Sequence, residues 1–250
     1  MVAALPLGPV PPVFPADFAE LLTPAGARRL RRLAGALAAD TTPFLSARGG
    51  FDPGLVRRGL AALERDLRPL LRPIDVPIPP ETIWNQTRSF QERLPKAARL
   101  ATAYLERRAD PAFRAAEALG ILAMLRSSSL RRVAEALVGR RLKPRPGCQV
   151  LCYGAGDYMG PHHDHHPDID DARDGYLDLH LVFSTPAAGR QMLIHARNGH
   201  LTETVELVGP GSLNAYRLPF WHQVTPLQPR RGADPAAARR WVLLASFRFA

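Results

Sequence analysis

Cysteine is nearly absent from this chain. Cys148 and Cys152 are the only two in 250 residues. They stand four apart in an apolar run that reads as a strand, so their Cα atoms should lie roughly 13 Å apart, beyond disulfide reach. A disulfide scaffold is excluded, and a pair of buried strand thiols is expected. Long apolar runs are also missing, and none reaches the length of a transmembrane helix. The N-terminus carries Pro6, Pro9, Pro11, Pro12 and Pro15, and no Lys or Arg before Arg28. That is not the pattern of a secretory signal. The expectation is a cytoplasmic protein with no membrane association. Histidine is absent before His162, and lysine occurs only at Lys96 and Lys143.

What is present is arginine. The formal net charge is +10. Residues 1–150 hold 24 Lys+Arg against 13 Asp+Glu, and residues 151–250 hold 9 against 10. The excess therefore sits in the first part of the chain. It falls in doublets such as Arg28-Arg29, Arg31-Arg32 and Arg131-Arg132, which suit solvated helix faces better than a nucleic-acid surface.

Read in order, the first part is helical and Pro-rich. Thr23-Pro24 opens a helix to about Ala39, and residues 40–52 read as a loop. A second helix follows Asp52-Pro53 and carries Leu55, Leu60, Leu63, Leu67 and Leu71. The prolines of residues 73–90 mark an extended linker, with a short edge strand around Ile83-Trp84. Helices are expected at 95–108, 111–126 and 128–139, the second opened by Asp110-Pro111. Near Lys143 the apolar period changes from 3.6 to 2. Strands are expected at 147–153, 176–184, 190–195, 203–208, 212–217, 222–227 and 240–249, with Asn198-Gly199 as a hairpin signal. The fold class is α+β in one domain, residues 1–250. A mainly helical part, 1–145, packs on a β sandwich or barrel, 146–250.

All eight histidines lie between His162 and His222. His162-His163-Asp164 follows the apolar run that ends at Tyr153. If the strand persists, His162 and Asp164 point to one face. His166-Pro167-Asp168 is a rival, but Pro breaks strand pairing and the residues around it read as an acidic loop. His163 and His165 fall in the opposite phase to His162. A third ligand stands far downstream of Asp164, in His222-Gln223-Val224-Thr225-Pro226, with room for several strands between. Two His and one carboxylate, with other positions open, is the ligand set of non-haem Fe(II) oxygenases.

These motifs carry a resemblance. Residues 150–250 are similar to the Fe(II)- and 2-oxoglutarate-dependent dioxygenases, nearest in pattern to the prolyl 4-hydroxylase-like branch. Tyr153-Gly154-Ala155-Gly156 stands before His162-x-Asp164. Pro186-Ala187-Ala188-Gly189 and Gly209-Pro210-Gly211-Ser212 stand at the family's turns, and His222-x-Val224-x-Pro226 matches its distal motif. Arg240 begins the last strand. It stands farther beyond His222 than the family's basic residue stands beyond its distal His. Residues 229–235 look like an inserted loop, so Arg230, Arg231 and Arg239 are rivals. Strand phase favours Arg240, which shares a face with Val242, Leu244 and Ser246. The part before residue 145 resembles no family that its residues suggest.

The resemblance implies a double-stranded β-helix core with helices bracing its major sheet. It implies His162, Asp164 and His222 as metal ligands and catalytic centre. It gives Arg240 and Tyr153 the cosubstrate. Fe(II), 2-oxoglutarate and O₂ are the implied reactants, with ascorbate as a candidate cofactor. A small-molecule or peptide-like substrate is expected, with release of succinate and CO₂. Two alternatives compete. One is an AlkB-type nucleic-acid demethylase, which the basic first part favours and Leu151, where such members place Asn, disfavours. The other is a non-catalytic metal-binding β-barrel protein. The acidic run Asp168, Asp170, Asp171, Asp174 argues against nucleic acid near the metal.

Overall fold

A computed structural model describes residues 11–39, 42–77, 97–164, 175–197 and 200–250. The helices form where the sequence supplies caps. Helix α1 (Pro24–Arg32) starts with Thr23 Oγ1 accepting from Gly26 N, and α2 (Pro53–Ala62) with Asp52 accepting from Leu55 N. Both place Pro in the first turn, where its missing N–H costs nothing. After α2 the chain continues through Leu63–Leu67 and the short turn at Arg68–Leu70.

Strands β1 (Phe44–Arg48), β2 (Arg72–Pro77) and β3 (Ala97–Tyr104) arise within residues expected to be loop, linker and helix. The expected helix at 95–108 is corrected to a strand. Its alanines suggested helix, but β3 is wedged between other strands, where small residues on both faces fit and pairing overrides propensity. The expected edge strand at Ile83-Trp84 lies outside the described residues.

Helices α3 (Pro111–Ala118), α4 (Ile121–Leu125) and α5 (Ser128–Val138) follow. The single helix expected over 111–126 is split at Gly120, which has φ +86. A Cβ there would meet the Phe14 carbonyl oxygen at 2.3 Å. Gly120→Ala is expected to cost about 1–3 kcal/mol, since both backbone strain and a backbone clash oppose it. A lowered denaturant midpoint checks this; an unchanged midpoint contradicts it.

The remaining strands are β4 (Gly147–Gly154), β5 (Tyr158–His162), β6 (Tyr176–Ser184), β7 (Ala188–Arg190), β8 (Met192–Arg197), β9 (His200–Glu206), β10 (Ser212–Leu218), β11 (His222–Val224), β12 (Gln228–Pro229) and β13 (Arg239–Arg248). Neighbours run in the order β1-β10-β6-β13-β4-β3-β5-β11-β8-β9, all antiparallel. This is the double-stranded β-helix: a major sheet centred on β6 and β13, and a minor sheet of β5, β11, β8 and β9. Strand β3 pairs with both β4 and β5 and bridges the two. The Asn198-Gly199 hairpin signal lies outside the described residues, between the paired β8 and β9.

Alternation sorts the side chains of the major sheet. Leu177, Leu179, Leu181 and Phe183, with Trp241, Leu243, Ala245 and Phe247, face the helices and pack with Leu63, Leu67 and Leu125. Burying one such side chain contributes roughly 1.5–3 kcal/mol. Trp241 Nε1 donates to Glu64 Oε1 at 2.7 Å, so its one polar atom is satisfied. Cys148 and Cys152 are free and buried on this face. Burial pushes the Cys152 thiol up to about 12, which suits an inert packing residue. The opposite phase, including Tyr153, Val182 and Val242, faces the barrel interior. No described helix is long and apolar enough to cross a membrane.

Candidate metal centre

Three chain segments meet at one point inside the barrel. Tyr153 lies at the end of β4, and Gly156, at φ +82, lets the chain turn back into β5. Asp157 closes that turn by accepting from Gly154 N at 2.7 Å. Strand β5 ends at His162, which is paired across the minor sheet with His222, the first residue of β11. The two imidazoles lie 4.2 Å apart, centre to centre.

Asp164 reaches the same point by a different route from the one expected. The strand does not persist beyond His162, so strand phase does not align the pair. Asp164 instead adopts φ +42, a conformation Asp tolerates better than most residues. The turn brings its carboxylate between the histidines. Asp164 Oδ1 is 3.4 Å from His162 Nε2, and Oδ2 is 3.4 Å from His222 Nε2. The Tyr176 hydroxyl donates to the Asp164 carbonyl and holds the turn.

The imidazoles are oriented from behind. His162 Nδ1 lies 2.7 Å from the Gly160 carbonyl, and His222 Nδ1 lies 2.9 Å from the Phe220 carbonyl. Each Nδ1 must carry a proton to donate, so in the neutral imidazole it is Nε2, facing Asp164, that has the lone pair. One ligand atom from each residue lies within 4.8 Å of the others. Ligands about 2.1 Å from a common ion sit roughly 3 Å apart, so only small movements would close the three on a metal.

The electrostatics agree with a cation site. Burial opposes ionisation of Asp164, but His162, His222 and His180 outweigh it and hold the carboxyl well below the usual range. Burial and the neighbouring His162 push His222 down to about 4, so it stays neutral and able to ligate. Burial also opposes charging of His162, but Asp164 prevails and raises it.

A cavity of about 470 Å³ runs past this cluster and is lined by Tyr153, His180, Tyr216, Arg240, Val242 and Leu244 among others. Arg240 is 1% exposed. It sits opposite Tyr153 in the β13–β4 register, with its guanidinium carbon 4.3 Å from the Tyr153 ring centre. Its Nε donates to Gln191 Oε1 at 2.5 Å. Gln191 is oriented in turn, donating to the carbonyls of Asp157 at 3.1 Å and Thr225 at 3.0 Å. Arg240 Nη1 is buried and has no hydrogen-bond partner. Burial pulls the guanidinium down, and the groups that raise it again are Tyr153, Tyr216 and Cys152, none a carboxylate. A buried cation left this way costs several kcal/mol unless an anion joins it.

The rivals for this position lie elsewhere. Arg230 and Arg231 are exposed, and Arg239 turns back to the Ala238 carbonyl. His163 packs edge-on against Trp221. His165, His166 and the acidic run from Asp168 to Asp174 lie outside the described residues. Sequence reasoning missed Gln191, which sits between β7 and β8 and gives no periodic signal. It also missed Asp178 and His180, although the alternation of β6 places both on the inner face.

No family model and no curated protein matches the sequence. Solved structures do. A Pseudomonas putida prolyl-4-hydroxylase has TM-score 0.53 and 17% identity, over 88% of this chain and 99% of that one. An oxidoreductase of the 2OG-Fe(II) oxygenase family from Burkholderia pseudomallei has TM-score 0.55 and 13% identity, over 88% and 90%. The non-heme alpha ketoglutarate dependent epimerase SnoN from nogalamycin biosynthesis has TM-score 0.54 and 16% identity, over 91% and 82%. At these identities the likeness establishes the fold, the double-stranded β-helix of those oxygenases.

Proposed function

We propose that this chain is an Fe(II)- and 2-oxoglutarate-dependent dioxygenase, with hydroxylation of a small-molecule or peptide-like substrate as its default reaction. One observation carries the reading. A His–Asp–His cluster with both Nε2 atoms turned to one carboxylate shares a cavity with a buried guanidinium whose Nη1 has no partner.

The donor set fits Fe(II), with two imidazoles and one carboxylate on one side and open positions opposite. His162, Asp164 and His222 would hold the ion. Iron with 2-oxoglutarate and O₂ supplies the oxidising power, with succinate and CO₂ as products. Arg240 takes the distal carboxylate of 2-oxoglutarate, a charge-assisted contact that satisfies the buried Nη1. Gln191 fixes the guanidinium along its Nε edge. Tyr153 stacks against its face and lines the slot beside it. Val242 and Leu244, on the same wall, exclude water from that slot. Ascorbate is the candidate reductant for restoring oxidised iron. A cytoplasmic location belongs to the same reading, supported by two free thiols and no disulfide.

The test is succinate release from 2-oxoglutarate by purified protein. Slow release that requires both added Fe(II) and O₂ is expected, and it should be stimulated by the substrate. Metal-independent release, or none under any condition, contradicts the proposal. Short oligonucleotides at low salt test the nucleic-acid alternative. They are expected neither to bind tightly nor to stimulate release. If they do both, with binding that weakens steeply with salt, the substrate class is wrong.

A further inference from the structure

The cavity has two ends, and only one is accounted for by 2-oxoglutarate. Arg240, Val242, Leu244, Ser246 and Arg248 line it along one edge of β13. The strand from Arg240 to Ser246 spans about 20 Å. The Arg240 end is closed, at 1% exposed, while Tyr104 at the other end is 61% exposed. Tyr176, whose hydroxyl holds Asp164, pairs with Arg248 near that open end. The His–Asp–His cluster lines the same cavity, with the open end free to receive the molecule to be oxidised.

Asp178 stands in that open half. It is 8% exposed, lines the cavity, and pairs in register with Ser246 on one side and Tyr216 on the other. Its Oδ1 has no hydrogen-bond partner. The influences on its carboxyl are burial, the Ser246 hydroxyl and the Asp164 carboxylate, none of them cationic. Burial leads, pushing it up to about 8. At the exposed mouth Glu106 and Arg248, of opposite charge, line the rim. Tyr104, Tyr176 and Tyr216 put three phenol rings on the same cavity. A buried carboxyl among aromatic rings, with one oxygen lacking a hydrogen-bond partner, is a receptor for a cation.

We infer that Asp178 is a specificity-determining residue that binds a cationic group of the substrate, an ammonium or guanidinium, in the open half of the cavity. This rests on the reading of the cavity as an active site. It narrows the substrate class from small or peptide-like to amine-bearing, such as an amino compound or a basic side chain. A cation here restores the charge that burial opposes and uses the free Oδ1.

The test uses three probes on one skeleton: benzylamine, benzyl alcohol and benzoate. Their binding is measured by calorimetry and by saturation-transfer NMR, on the full chain with and without Zn(II). No turnover is needed. With 2-oxoglutarate present to fill the Arg240 end, benzylamine is expected to bind about tenfold or more tighter than benzyl alcohol, as for a hydrogen bond to a charged group, and benzoate is expected not to bind. Asp178→Asn keeps the side-chain shape and should bring benzylamine down to the level of benzyl alcohol, which should itself be unchanged. Glu106→Gln, at the rim, should leave the preference intact. Equal binding of amine and alcohol by the unaltered chain, or no amine binding, overturns the inference even if the variant does not fold. So does a preference that survives in Asp178→Asn. Failure here alongside iron-dependent succinate release removes only this inference. Success here without such release leaves an amine-binding β-barrel and removes the oxygenase reading.

Discussion

Replacing Asp164 with alanine is expected to abolish iron retention while the fold survives. The carboxylate stands between the two imidazoles, 3.4 Å from each Nε2. Its removal leaves two neutral imidazoles with no charge to hold a divalent ion. Loss of a supporting residue behind a ligand already costs about 10–100-fold in metal affinity, so loss of the ligand should exceed about 100-fold. The side chain is 37% exposed, and Asp164 is not part of either apolar core. Its φ of +42 adds strain of about 1–2 kcal/mol for alanine. Asp164→Asn, which tolerates that conformation, separates strain from ligation. Iron content after gel filtration and the circular dichroism spectrum are the readouts. Asp168→Ala should keep its iron. Equal iron in Asp164→Ala and the unaltered chain would sink the assignment, and loss in Asp168→Ala alone would move the ligand to the acidic run.

The second large effect is expected at Arg240. Arg240→Ala should weaken 2-oxoglutarate by about 2–4 kcal/mol, the cost of removing one partner from a desolvated charge pair. That is about 30- to 900-fold in Kd. Iron affinity should be nearly unchanged, because the contacts of the Arg240 guanidinium are with Tyr153 and Gln191, not with the three ligands. Arg230→Ala and Arg231→Ala, both at exposed positions, should have no effect. A normal 2-oxoglutarate affinity in Arg240→Ala, with a loss in either of the others, would place the role in the inserted loop.

Much of the β core was legible because its strands obey one rule. In β6 and β13 every second residue faces the helices and the rest face the cavity, and Gly or Pro turns separate the runs. The same alternation put Arg240 on the inner face and its neighbour Arg239 on the outer one. Strands β1, β2, β3 and β5 were among those not legible. β1 is short and flanked by loop residues. β3 is rich in alanine, and its strand state depends on β4 and β5, partners remote in the sequence. β5 was not among the expected strands, and its strand state rests on its pairing with β3 and β11. The candidate ligands were identified, but Asp164 was placed by the wrong geometry: a positive φ, not strand phase, turns it toward His162. Gln191 had no signal, since its role comes from a tertiary contact with Arg240. Asp178 had one, a carboxylate on the inward phase of an otherwise apolar strand.

The most direct measurement is an anaerobic titration of the purified protein with Fe(II) and 2-oxoglutarate, followed by visible absorption. Iron and 2-oxoglutarate on one site give a weak charge-transfer band that neither gives alone. The prediction is that the band appears only with both, saturates near one equivalent of iron, and is lost in Asp164→Ala. In Arg240→Ala it should need far more 2-oxoglutarate. If no band forms although iron binds, or if the band persists without Asp164, the cavity does not hold the two together and the proposed function is wrong.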